Sequence, residues 1–365
     1  MIDRHSLLVS LNLLRWRGLG LTQALLTRLS DPVVLLSKSV TELVAEEGMT
    51  REGAEKIVRA RESLSVERHI EDLVRREIAI TTQEDPGYPE LLRAIPDPPL
   101  ALYHRGPLPD RGRMVVAIVG TRAATPYGIG VATRMARDLA QAGALVVSGL
   151  AEGIDTAAHS GAIEVGTDRT LAVLATGVDI CYPPGNRLLY KRLDREGTLL
   201  SEAPPGTTPK RHLFPLRNRI ISGLSRSVIV VEAPERSGAL ITARLAADQG
   251  RDVFAVPGPV TSLQSQGCLA LLQQGAAMAR NAKDVLEEAL GRPSLGKATP
   301  DDRETSTLDA EERHLLGLLS PVGTSIDELV SRMDRSFPEL HQRLLTLVER
   351  GLASRLPGNR YASRS

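Results

Sequence analysis

The sequence predicts an α/β fold built on a doubly wound parallel sheet, and three observations carry that prediction. Short β-branched apolar runs recur at residues 115–119, 145–147, 171–175, 199–200, 228–231 and 253–256. They are too short for helices and mostly lack polar alternation, as strands buried on both faces do. Stretches long enough for crossover helices, such as 129–141 and 239–247, separate most of them, and small polar residues follow each run. Alternating β and α with buried strands gives a parallel sheet whose ligands bind beyond the carboxyl ends of the strands.

The remaining elements are taken in chain order. Leu7, Leu8, Leu11 and Leu14 fall at helical spacing, and the pattern stays helical to about Leu64, with Gly-bearing turns at 17–20 and 47–50. This gives a helical domain over 1–70. Pro and Gly punctuate 85–112, which predicts an extended connector over 71–113 leading into a sheet domain at 114–290. A Pro-, Gly-, Thr- and charge-rich stretch, 291–307, reads as a linker. Residues 308–365 read as three helices (310–319, 325–333, 337–350) and a turn-linked strand pair (352–356, 360–362), the pattern of a winged helix. Ser325 with Glu328 fits a capping box and Pro338 a first helical turn.

Composition bounds the function. The chain has 365 residues, 45 Lys and Arg against 44 Asp and Glu, and 3% aromatic residues. Balanced charge excludes global attraction to nucleic acid, so a polyanion site must be a local patch. So few rings exclude a broad base-stacking platform. Cys181 and Cys268 exclude a disulfide framework and a multi-Cys zinc site. No apolar run approaches a membrane span, and the N-terminal segment has arginines where a signal peptide would be cleaved, so a cytoplasmic protein without membrane contact is expected.

The loops after the strands carry the chemistry. Gly120-Thr121-Arg122 follows the first run, 148–155 (Ser148-Gly149-Leu150-Ala151-Glu152-Gly153-Ile154-Asp155) the second, and Thr176-Gly177-Val178-Asp179 the third. Ser201-Glu202 follows the fourth, and 232–238, ending in Ser237-Gly238, the fifth. Small residues beside helix N-termini let an anion approach backbone amides, which predicts a phosphate-binding rim. An ordinary dinucleotide site is not expected, because no Gly-x-Gly-x-x-Gly follows the first strand. The P-loop-like stretch at 291–297 follows a helix and has Ala298 in place of the magnesium-binding hydroxyl. No cofactor or metal is expected.

From Ala203 to Val231 there is no Asp or Glu, while Lys210, Arg211, Arg217, Arg219 and Arg226 lie within that span. Guanidinium forks and ammonium groups bind phosphate oxygens, and Phe214 is a ring able to stack on an unpaired base. Opposite them, Arg122 supplies a cation directly after the first strand.

Together, Gly-Thr-Arg at 120–122, the Ser-Gly-Leu-Ala-x-Gly-Ile-Asp-x-x-Ala-His pattern at 148–159 and Gly-Val-Asp-x-x-Tyr-Pro at 177–183 resemble the DNA-processing protein A (DprA, or Smf) family. Phe-Pro-x-Arg-Asn-Arg at 214–219 and Glu-x-x-x-x-Ser-Gly-x-Leu-x-Thr-Ala at 232–243 extend the resemblance. It implies an extended Rossmann-like fold that binds and protects single-stranded DNA and loads the recombinase RecA during natural transformation, commonly as a homodimer. The nucleic-acid-binding residues it implies, with the strand-end loops, are Gly120, Thr121, Arg122, Ser148, Gly149, Gly153, Lys210, Arg211, Phe214, Arg217, Asn218, Arg219, Ser237 and Gly238. Which of Lys210 and Arg211 is the main phosphate ligand stays open. Residues 5–64 are similar to the sterile-alpha-motif or helix-hairpin-helix domain that often precedes this core; Gly18-Leu19-Gly20 could be a phosphate-binding hairpin, but short Gly turns are common between helices and a role in packing or protein contacts is favoured. On the winged helix, Glu339 and Glu349 make the charge mixed and a protein contact is the favoured reading, with Arg343, Arg355 and Arg360 as the residues that could touch DNA.

The expectation is a binding protein and not an enzyme. The rival is a nucleotide phosphoribohydrolase that uses similar phosphate loops. Leu245 stands where that family's ribose-directed Glu belongs, although Glu152, Asp155, Asp179, Glu202 and Glu232 remain as acids. A winged-helix regulator with a nucleotide-sensing core is a third reading.

Overall fold

The computed structural model describes residues 4–16, 32–62, 64–291, 310–320, 324–333, 335–349, 352–356 and 360–363. The chain divides into two compact units, Met1–Gly291 and Arg292–Ser365. The Gly18–Gly20 turn, the expected linker, the P-loop-like stretch and the 357–359 turn lie outside the described residues.

Among the described residues, five helices open the first unit: α1 (Arg4–Trp16), α2 (Val34–Ser37), α3 (Val40–Ala45), α4 (Arg51–Glu62) and α5 (Val66–Arg75). Leu11, Leu14, Leu35, Leu43, Ala54 and Ile57 form a small core among the first four, joined by Leu100 from the segment after α5. Ser39 and Glu42 make a reciprocal capping box at α3. These helices are tied to the rest of the unit. Asn12, fully buried on α1, donates to the Tyr103 hydroxyl and to the Glu202 carbonyl, both at 3.4 Å.

The sheet has nine strands. They are β1 (Ala79–Thr82), β2 (Ala101–Arg105), β3 (Val115–Val119), β4 (Leu145–Ser148), β5 (Thr170–Val173), β6 (Thr198–Ser201), β7 (Ser227–Val230), β8 (Asp252–Ala255) and β9 (Ala277–Met278). Their order is β1-β2-β6-β5-β4-β3-β7-β8-β9, with every pair from β6 to β9 parallel. The segment read as an extended connector supplies β1, β2 and the short helix α6 (Glu90–Arg93); its two strands join the sheet antiparallel at the β6 edge. Pro-Gly punctuation hid them because it falls between these short strands and directly after β2, although β1 is the sheet edge and β2 lies between β1 and β6.

Alternate residues of β3 face opposite cores. Val115, Ala117 and Val119 pack with α10 (Leu213–Leu224), α11 (Gly238–Asp248) and α12 (Gln266–Gln273). Val116 and Ile118 pack with α7 (Pro126–Gln141), α8 (Ile154–Ile163) and α13 (Ala282–Gly291). The remaining crossover helix, α9 (Arg187–Glu196), buries Tyr190 and Leu193 against β5 and β6. From β3 the chain builds outward through β4, β5 and β6, then returns to place β7 on the other side. Winding therefore reverses between β3 and β7, and the crevice at their carboxyl ends is where such sheets bind ligands.

The second unit has α14 (Ala310–Leu318), α15 (Ile326–Met333), α16 (Phe337–Glu349) and a three-stranded antiparallel sheet of β10 (Thr324–Ser325), β12 (Arg360–Ser363) and β11 (Ala353–Leu356), in that order. Leu315, Ile326, Leu329, Leu340, Leu344, Leu347 and Tyr361 fill its core. Among the described residues, three helices with a small sheet make the expected winged helix, with one more strand than the sequence signalled.

Candidate nucleic-acid interface

The loops at the carboxyl rim are held mainly by one another. Gly153 has φ +79°, and a Cβ there would meet the carbonyl oxygens of Thr121 and Arg122 at 2.4 and 2.6 Å. A Cβ at Gly120 would meet Ile154 at 2.5 Å. These glycines let the first two loops lie backbone against backbone, sealed by the Ile154 amide donating to the Thr121 carbonyl at 3.2 Å. Thr121 is buried and its amide donates to the Glu232 carbonyl at 2.7 Å.

Two carboxylates occupy amides that an incoming phosphate would otherwise take. Glu232 accepts from the Thr125 amide at 2.9 Å and its hydroxyl at 2.6 Å, at the start of α7. Asp155 accepts from the amides of Gly149 and Ala151 at 3.1 and 3.3 Å. Burial pushes the Asp155 carboxyl up, while Arg217 and those hydrogen bonds pull it back. The expected roles of Ser148 and Gly149 are corrected accordingly. Ser148 is fully buried and its hydroxyl donates to the Ile118 carbonyl at 2.6 Å. The Gly149 amide is engaged by Asp155, and a Cβ at Gly149 would lie 2.5 Å from the Arg217 guanidinium.

Helix α10 separates the basic segment into inward and outward cations. Leu213, Ile220, Ile221 and Leu224 are its buried apolar stripe, and Arg217 lies on the same face. Arg217 is only 7% exposed. Its Nη1 donates to the Gly149 carbonyl at 2.7 Å and also to that of Val173, tying α10 to the ends of β4 and β5. Burial lowers its pKa to about 10, Asp155 opposes the shift, and Arg122 adds to it. Arg217 therefore braces the rim from beneath instead of presenting a free fork. Helical periodicity carried that signal, since position 217 falls four residues after Leu213 and three before Ile220.

Arg219 is also buried. Its Nη2 donates to both Glu202 oxygens at 2.7 and 2.8 Å, and its Nε to Asp97 at 3.1 Å. Arg15 joins from α1, 2.9 Å from Asp97. Burial opposes the Arg219 charge, but the two carboxylates hold its pKa above the ordinary value. Its expected phosphate role is replaced by a structural one. No spacing rule reveals this, because the partners lie far away in the chain.

What remains at the surface is a smaller set. Arg122 is exposed and lies over the Phe214 ring, 5.3 Å from its centroid. The other neighbour of Phe214 is Tyr182, with centroids 5.7 Å apart and planes tilted by 53°. Lys210 and Arg211 are exposed just before α10. Arg122, Lys210 and Arg211 have no carboxylate partner among the described residues. Asn218, one turn after Phe214, accepts from Arg217 Nε at 3.3 Å and donates to the Gly238 carbonyl at 3.4 Å. Ser237 caps α11, and Gly238 is exposed with open space where a Cβ would sit. Tyr182 was missed as a site residue; only its place in the Tyr-Pro motif pointed to it.

Asp179 is engaged as well, while Glu152 is exposed. Asp179 pairs with Arg76 at 3.1 Å and accepts from the Gly206 amide at 2.9 Å. His159 is fully buried and its Nδ1 lies 2.7 Å from the Thr170 hydroxyl, which itself donates to the Val146 carbonyl. Burial lowers the His159 pKa to about 3, so the ring is neutral and its Nδ1–H is the donor to Thr170. On the winged helix, Arg343 is 2.8 Å from Glu311, while Arg360 is exposed. Among the described residues, no helix is long and apolar enough to cross a membrane.

Comparison with known proteins agrees with this architecture. A family model described as DNA recombination-mediator protein A matches residues 79–290, and one for the DprA winged helix domain matches residues 299–359. The chain is 36% identical over 383 residues to Protein Smf of Synechocystis, covering 94% of this chain and 96% of that one. It is 44% identical over 203 residues to DNA processing protein DprA of Bacillus subtilis, covering 55% and 68%. Among solved structures it is similar to DNA processing protein A of Streptococcus pneumoniae, with a TM-score of 0.67, 33% identity and coverage of 79% and 98%. It is also similar to that of Helicobacter pylori, reported for its single-stranded DNA binding mode, with a TM-score of 0.50, 31% identity and coverage of 58% and 96%. With a core and a winged helix that both match, and a relative that aligns over nearly its full length, this chain belongs to the DNA recombination-mediator protein A (DprA/Smf) family.

Proposed function

We propose that this chain binds single-stranded DNA along the carboxyl rim of its sheet, protects it, and delivers it to the recombinase RecA during natural transformation. The observation that carries the reading is Arg122 stacked on the half-buried Phe214, with Lys210 and Arg211 nearby in sequence and lacking carboxylate partners among the described residues. Cations take the backbone phosphates, and the ring offers a face to one unpaired base. Because stacking works for any base, the binding is sequence-tolerant. The similarity to the Helicobacter pylori protein supports the same reading.

We further propose a binding role without catalysis. Glu232, Asp155, Asp179 and Glu202 each hold a loop amide, a helix start or an arginine, which leaves Glu152 as the exposed acid among those considered at the rim. Two assays test the function. A labelled single strand should be displaced by unlabelled single strand and far less by duplex. RecA filament assembly on a single strand coated with single-strand-binding protein should start sooner when the chain is added. Equal competition by duplex, or unchanged RecA nucleation, would remove the corresponding half of the proposal.

A further inference from the structure

Helix α9 carries a second cationic surface. Arg187, Lys191 and Arg195 recur every fourth residue and so share one face, with Arg192 beside them. All four are exposed, and none pairs with a carboxylate among the described residues. Leu188, on the same flank, is 86% exposed. The opposite face is buried through Tyr190 and Leu193, and Asp194 is engaged by Arg105 at 2.6 Å. The exposed Glu196 at the helix end is the remaining acid of α9.

This arrangement is unfavourable for the helix itself. Like charges four residues apart repel, and Arg187 sits in the first turn, where the helix dipole disfavours a cation and no acid offsets it. In a chain of net charge +1 such a stripe points to an external polyanion. Its position says which one. Cys181 packs on the cluster that buries Tyr190 and Leu193 of α9. The next residue, Tyr182, packs on Phe214 beneath Arg122. The cations therefore continue from the rim down α9, with a rise of about 6 Å between successive members.

We infer that the α9 stripe is an extension of the polynucleotide track: the strand held at Arg122 and Phe214 continues past Tyr182 and lays its phosphates along Arg187, Lys191 and Arg195. This rests on the single-strand reading of the rim. The test compares oligothymidylates of about 6 and about 25 nucleotides, binding wild type and the Lys191→Gln/Arg195→Gln double variant across a salt series. Both side chains are exposed, so an unchanged melting temperature verifies the fold. The long oligomer should bind the variant about three- to tenfold more weakly, with a salt slope shallower by about 1.4 for two lost phosphate contacts. The short oligomer should bind both proteins alike. An unchanged long-oligomer affinity and slope would overturn the inference and leave the stripe to an acidic protein partner. Equal losses for both lengths would overturn it too, since the stripe would then not be an extension. If wild type binds neither oligomer, the rim reading itself fails and the inference falls with it. If wild type binds the short oligomer and Arg122→Ala abolishes that binding, the rim reading stands whatever the double variant shows.

Discussion

The Glu232 carboxylate sits on the N-terminus of α7, bonded to the amide and the hydroxyl of Thr125 at 2.9 and 2.6 Å. In dinucleotide-binding sheets the corresponding helix start receives a pyrophosphate. Here the chain fills that place with its own anion, so phosphates are left to the side chains further out on the rim. Gly128 makes room for the carboxylate, because a Cβ there would lie 2.2 Å from Glu232 Oε2. Gly128→Ala should therefore destabilise the fold by about 1–3 kcal/mol through overpacking, measured by urea denaturation. A variant as stable as wild type would show that the clamp is looser than described.

Arg217 is a brace, and its removal should register first as lost stability. Arg217 satisfies the buried carbonyls of Gly149 and Val173, and each buried acceptor left unpaired costs about 1–3 kcal/mol, so Arg217→Met should unfold at markedly lower urea. Asp155→Asn in the same chain should recover part of the loss. A fully stable Arg217→Met protein that no longer bound single strands would instead make Arg217 a direct phosphate ligand.

The Arg15–Asp97–Arg219–Glu202 cluster joins α1 to the sheet domain. Arg219→Met should cost about 3–5 kcal/mol, since the buried Glu202 loses both short hydrogen bonds and keeps Arg15 at 3.5 Å. Protein that remains folded should bind oligothymidylate with an unchanged salt slope. A shallower slope would place the Arg219 guanidinium on DNA.

His159 sets an acid limit. Its pKa falls from 6.5 to about 3 on folding, so between those values the unfolded chain takes up a proton that the folded one refuses. Its contribution to stability is complete above pH 6.5 and is lost as the pH falls towards 3, at about 1.4 kcal/mol per pH unit at the steepest. His69 and His104, also lowered by burial, act in the same direction. Urea denaturation at pH 7 and pH 5 should show this loss, and His159→Asn should reduce it. An equal loss in the variant would assign the acid sensitivity to other groups.

Much of this was legible in the sequence, for physical reasons. All six strands of the parallel core predicted from apolar runs are present, because a strand buried on both faces can hardly be written otherwise. Arg122 lies over the ring of Phe214, and Lys210 and Arg211 are exposed just before α10. Arg217 was readable and misread: charge drew attention away from the period that places it among Leu213, Ile220 and Ile221. Arg219 was not readable, because its fate depends on Asp97 and Glu202, which only the tertiary fold brings near. The glycines were read as openings for a ligand, yet Gly120, Gly149 and Gly153 receive other parts of the chain.

The central claim is that Arg122 and Phe214 grip an unpaired strand, one by charge and the other by stacking. The most direct measurement is the affinity of wild type, Arg122→Ala and Phe214→Ala for an oligothymidylate over a range of salt. Arg122→Ala should weaken binding and flatten the slope by about 0.7, the share of one single-strand phosphate contact. Phe214→Ala should cost about 1–3 kcal/mol, the worth of one stacked base, and leave the slope unchanged. Wild-type affinity and slope in both variants would contradict the account.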